Sequence, residues 1–169
     1  MEYIDVDHFA SDEERARAIT ELITIPPPQG VLGSFWHRGL IRHPFFKDRE
    51  AFKKYSTVGE IQDSIKDVLH NLSTNTGRDF GEVDFSEEPL WCYYGDIYRE
   101  NFPVDSSGRL WVVDFDVTGV LPASFASFPL DVKYKHPLPI PIRNTIPIER
   151  SKNLKPMFRA YRLIQMSSE

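Results

Sequence analysis

The sequence has a single cysteine, Cys92, among 169 residues. This excludes an intrachain disulfide framework and a cysteine-rich zinc site, and it fits a reducing compartment. Cys92 therefore reads as a small buried hydrophobe. A block of lysine and arginine is also missing. The 20 basic and 25 acidic residues are spread along the chain and leave a formal charge of -5, so the electrostatic footprint of a nucleic-acid binder is absent. No apolar run approaches the ~20 residues that span a bilayer. The opening stretch "MEYIDVDHFASDEERARA" lacks the basic-then-apolar order of a secretory signal. These absences lead us to expect a soluble, cytoplasmic protein whose partners include neither nucleic acid nor membrane. No internal repeat is visible. His8, His37, His43, His70 and His136 show no ligand spacing, so they are expected at the surface or in loops rather than on a metal.

What is present is enough apolar and aromatic material, 41% and 13%, to build one core over residues 1–169. "EYIDV" is β-prone. Ser11 followed by Glu14 then makes a capping-box signature for a helix with Ala16, Ile19, Leu22 and Ile23 on one face. Pro26, Pro27 and Pro28 end it. Gln29 to Tyr55 shows neither helical nor strand period and reads as a long, partly ordered loop; its basic run, Lys47, Arg49, Lys53 and Lys54, reads as a solvated face, with contact to phosphate as the lesser alternative. Thr57 and Glu60 open a second helix carried by Val58, Ile61, Ile65, Val68, Leu69 and Leu72, and Asn71 to Glu88 returns to loop composition. "LWCYY", "NFPV", the turn "DSSG" and "RLWVVDF" read as strands and a hairpin. Prolines recur from Leu121 to Pro147, so residues 130–150 are expected to lie extended against a surface. A last helix, 151–166, places Leu154, Met157, Phe158, Tyr161 and Ile164 together. Trp36, Trp91 and Trp111 are expected in the core.

The chemistry sits in residues 93–116, "YYGDIYRENFPVDSSGRLWVVDFD". Phosphoryl transfer asks a protein for metal ions held against phosphates and for a carboxylate that orients the acceptor hydroxyl. Asp96 and Asn101 have the D-x-x-x-x-N spacing of that machinery, and Asp114 ends the next strand. The hairpin between them turns the chain back so that Asp114 can face Asn101, and both offer the hard oxygen that magnesium prefers. Asp105, ahead of "SSG", reads as a turn residue.

These residues resemble the active-site motif of the aminoglycoside phosphotransferase and choline kinase-like family. There, a His-Gly-Asp is followed by an Asn, a short hairpin and an Asp-aromatic stretch. "MEYI", in a hinge-like start over residues 1–6, resembles the link between the two lobes of protein-kinase-like folds. "LIRHPFF" and "VDFSEEPLWCYYGD" resemble segments ahead of the catalytic loop. The resemblance covers Met1 to about Pro129. It implies an α+β, mainly helical fold, the carboxyl-terminal lobe of a protein-kinase-like enzyme. It also implies Mg2+ and ATP as cofactors and a small-molecule hydroxyl as acceptor. Asp96 would be the catalytic base, Asn101 and Asp114 the metal ligands, and the Glu2 and Ile4 backbones the adenine contacts.

The sequence departs from the family in three places. Tyr94 stands where the family has His, which alters support of the loop. Asp116 replaces a Gly or Glu and brings a second carboxylate near the metal. No G-x-G-x-x-G and no V-A-I-K-like strand occurs, so the amino-terminal lobe is expected to be missing and transfer to be weak or absent. Two other readings compete with this one. A non-catalytic pseudokinase-type module would recruit a protein partner to the uncovered lobe interface. Asp114 and Asp116 could instead form the D-x-D motif of a sugar-nucleotide transferase, although the alternating strands and helices such an enzyme needs are not seen.

Overall fold

The computed structural model describes residues 4–36, 40–132 and 136–166. It is an α+β fold with two small antiparallel sheets. Strand β1 (Val6–Phe9) begins later than "EYIDV" suggested and pairs with β4 (Pro103–Asp105). The second sheet has the order β2 (Gly33–Ser34), β5 (Thr118–Pro122), β3 (Leu90–Tyr94). β2 can approach β5 only because position 119 is glycine: a Cβ there would lie 2.1 Å from the Gly33 carbonyl oxygen.

Helix α1 (Asp12–Ile23) starts with the expected capping box. Glu14 N–H donates to Ser11 Oγ at 3.2 Å, and the Glu14 carboxylate accepts from Ser11 N–H at 2.9 Å. It packs Ala16, Ile19 and Ile23 into a cluster with Tyr94, Ile97, Phe102 and Val104. Helix α2 (Val58–Thr76) has Thr57 as its cap, but Glu60 reaches back to Ser56 N–H rather than to Thr57. It buries Ile61, Ile65 and Leu69 in a larger cluster with Phe45, Phe85, Phe125 and Met157. Trp91 packs against both clusters, so β3 carries the site's backbone between them.

Several expectations need correction. Asn71 to Thr76 is helix, not loop: the Ser73 and Thr76 hydroxyls donate to the Leu69 and Leu72 carbonyls within α2. Residues 130–150 are not simply extended. Helix α3 (Ala123–Asp131) and a single turn, α4 (Ile140–Arg143), fall in the proline-rich segment. Pro129 is tolerated inside α3 because the Phe125 carbonyl, which it leaves without a helical donor, accepts instead from His43 Nε2 at 2.9 Å. His43 accordingly lies in a loop, as one of the two expectations had it, but is fully buried rather than at the surface. The last helix, α5 (Leu154–Met166), starts three residues later than expected, and Trp36 is 68% exposed rather than core. The segment 29–55 is a core contributor through Ile41, Phe45, Phe46, Ala51 and Tyr55. Cys92 is buried, as read. Among the described residues no helix is long and apolar enough to cross a membrane.

Candidate functional site

Asp96 leaves the end of β3 through Gly95, whose N–H donates to the Val117 carbonyl at 2.8 Å. A Cβ at position 95 would stand 2.7 Å from Val117 Cγ1 and 2.8 Å from Pro44 Cδ. Glycine therefore lets the chain pass between two packed side chains just before the candidate base. The chain then makes one helical turn, Arg99–Asn101, which brings Asn101 back over the loop. The Asn101 Nδ2 donates to the Asp96 carbonyl at 2.9 Å, which fixes the spacing of the two residues and leaves the Asn101 Oδ1 for a cation.

The expected second strand, "RLWVVDF", does not form: β4 pairs with β1, and residues 109–114 return beside it outside any strand, with a single bridge between Val104 and Leu110. The turn is organised by Asp105, which behaves as the turn residue its context suggested. Its carboxylate accepts from the Ser107 hydroxyl, Trp111 Nε1–H, Arg109 N–H and Ser107 N–H, and these bonds, the Ser107 hydroxyl first, hold it well below the usual carboxylate range. The returning chain is tied to the outgoing one by Trp111 N–H to the Pro103 carbonyl, 2.8 Å, and Val113 N–H to the Asn101 carbonyl, 3.0 Å. Asp114 follows in the left-handed region, φ 59° and ψ 72°. A non-glycine residue persists there only where its surroundings impose it. Here Val113 is held from both sides, since Tyr94 Oη donates to its carbonyl at 2.6 Å.

Tyr94, the departure from the histidine of the motif, is therefore a brace. Its ring is buried against Phe102 and Phe115, and its hydroxyl joins β3 to the residue before Asp114. Burial first, then the Asp96 and Asp114 charges, push its phenol well above the ordinary range. The same environment acts on Asp96. Burial raises its carboxyl, the Arg49 guanidinium pulls it down, and the Asp114 charge raises it again, for a net rise. The charges of Asp96 and Asp114 and the Asn101 amide thus all act on the Tyr94 hydroxyl.

Arg49 is the residue that sequence reasoning missed. Its basic run reads first as a solvated face, yet Arg49 Nη1 bonds Asp96 Oδ2 at 2.9 Å across 47 positions. No local pattern signals a pair so distant. Asp116, the second carboxylate expected near the metal, is paired with Arg42 at 3.1 Å. Arg15, buried in α1, donates to the Ile97 carbonyl just past the base. Glu2 lies outside the described residues, and Ile4 stands ahead of β1 outside any strand.

No three or more His, Cys, Asp or Glu side chains gather as a metal site among the described residues. The donor set still fits magnesium, which takes one or two protein oxygens and completes its octahedron with water and phosphate. Asn101 and Asp114 are the two residues that would hold it. No family model, curated protein or solved structure matches this chain, so its reading rests on its own residues and geometry.

Proposed function

We propose that this chain is the helical lobe of a protein-kinase-like phosphotransferase whose ancestral reaction is magnesium-dependent transfer of the ATP γ-phosphate to a small-molecule hydroxyl. The observation that carries the reading is the Asn101 amide bonded to the Asp96 carbonyl, with Asp114 held left-handed beside them at the end of a hairpin. In this reading Asp96 orients the acceptor hydroxyl and takes its proton. Asn101 and Asp114 supply the protein oxygens for magnesium, which would neutralise charge on the phosphates. Tyr94 and Gly95 tie the base loop to the segment that carries Asp114. The sequence holds no glycine-rich phosphate cover and no strand lysine, so transfer by the isolated chain is expected to be weak.

A second reading, a non-catalytic pseudokinase-type module with a protein partner, is favoured by a specific observation. Among the described residues the Asp96 carboxylate accepts one hydrogen bond, from Arg49, and its Oδ1 is buried without a partner. The D-x-D reading draws less support, because Asp116 is engaged by Arg42 rather than turned with Asp114 toward one ion. Transfer of labelled γ-phosphate from magnesium-ATP to a panel of small alcohols separates the first two. The phosphotransferase reading expects slow transfer that Asp96→Asn abolishes. Nucleotide binding with no turnover above the Asp96→Asn background supports the module.

A further inference from the structure

The segment that closes the base has no role in the reading above. Neither oxygen of Asp96 is open: Oδ2 accepts from Arg49 Nη1, and Oδ1 is buried and unpaired. An acceptor hydroxyl cannot meet Asp96 while Arg49 stays where it is. Arg49 is the more exposed partner of the pair. Its side chain is 37% exposed against 7% for Asp96, and its guanidinium carbon lies over the half-buried Tyr98 ring, 5.3 Å from the ring centre.

The backbone beneath it is strained. Asp48 and Arg49 both have positive φ, 52° and 61°, a conformation that non-glycine residues avoid unless their neighbours impose it. The neighbours here are buried: His43 N–H donates to the Arg49 carbonyl at 2.9 Å, and Arg49 N–H to the Phe46 carbonyl at 3.1 Å. The segment thus presses one guanidinium onto one carboxylate oxygen through a single bond. Guanidinium matches phosphate better than that, because its planar fork can give two parallel hydrogen bonds to phosphate oxygens.

We propose that Arg49 is the phosphate-binding side chain of this site, stored on Asp96 until a phosphate group competes for it. The inference rests on reading Asp96 as the base. When the phosphate takes the guanidinium, Asp96 Oδ2 is released to an acceptor hydroxyl and residues 48–49 are free to relax. The ligand chemistry is a phosphate monoester or the terminal phosphate of a nucleotide. Cations and neutral alcohols alone leave the latch shut.

The test is calorimetric titration of the full chain with inorganic phosphate, glycerol 3-phosphate and magnesium-ATP at matched ionic strength, with amide exchange of Arg49 and Glu50 followed in parallel. Both amides are bonded within the turn, to the Phe46 and Lys47 carbonyls. Inorganic phosphate should bind, speed exchange at both amides, and bind about tenfold or more weakly to Arg49→Gln. Lys53→Gln, in the same basic segment, should bind as the parent does. Arg49→Gln strands the Asp96 charge and can unfold the chain, so the double variant Arg49→Gln/Asp96→Asn, which removes both charges, repeats the test and should also fail to bind. A wild-type chain that ignores phosphate, or a variant lacking Arg49 that binds it undiminished, overturns the proposal. Binding without faster exchange overturns the latch. Glycerol 3-phosphate against magnesium-ATP shows which phosphate source the site takes. Omitting magnesium separates this inference from the metal reading: ATP should bind more weakly without it, while inorganic phosphate on Arg49 should bind as before.

Discussion

Two carboxylates flank β3 and have opposite surroundings. Glu88, ahead of the strand, is saturated by neutral donors. Oε2 accepts from Ser124 N–H, and Oε1 from the Ser124 and Ser151 hydroxyls and Asn153 Nδ2. It ties the start of α3 to the residues that open α5. Asp96, past the other end, is more deeply buried, yet one oxygen has a single charged partner and the other has none. Buried polar groups that serve the fold alone are normally satisfied, and a half-satisfied one needs another reason. The contrast separates a carboxylate that builds the core from one that the proposed function assigns to a ligand. His43 belongs with Glu88: both ring nitrogens are used, Nε2 donating to the Phe125 carbonyl and Nδ1 accepting from Phe45 N–H at 3.0 Å.

The largest expected effect concerns His43. Burial depresses its pKa from 6.5 to about 3. Between those values the unfolded chain binds a proton that the folded chain refuses, so stability is full above the unfolded value and falls as pH drops through the window. The contribution is up to ~1.4 kcal/mol per pH unit. Urea midpoints measured from neutrality downward should fall with that slope, and a flat profile would count against a neutral buried imidazole. Next comes the comparison itself. Glu88→Gln turns an amide N–H₂ toward donors and strands them, which should cost about 2–4 kcal/mol in chemical denaturation. Asp96→Asn should change stability by no more than about 1 kcal/mol, because the Arg49 it abandons is partly exposed and can rehydrate. Equal costs for the two substitutions would erase the distinction.

The parts of this arrangement that could be read from the sequence are the local ones. The Ser11 and Glu14 spacing, the apolar period of α2, the "DSSG" turn and the Asp96–Asn101 interval all act within a few residues, so pattern and geometry agree. The failures came where distant groups compensate. Pro129 reads as a helix breaker because the donor that offsets it, His43, is 82 positions away from Phe125. Ser73 and Thr76 have loop composition, but their hydroxyls bond back to helix carbonyls. Arg49 looked like a surface cation because its partner lies in another element, and Tyr94 gave no sign of bracing Val113 until the hairpin brought them together.

The account depends on Asn101 and Asp114 sharing one cation beside Asp96. Calorimetry of ATP binding with and without magnesium, on the parent chain, Asp114→Ala and Asp116→Ala, tests this most directly. The account predicts magnesium-dependent binding that Asp114→Ala weakens about tenfold or more and Asp116→Ala, whose carboxylate serves Arg42, leaves nearly unchanged. Nucleotide binding indifferent to magnesium, or equally strong in Asp114→Ala, would contradict it.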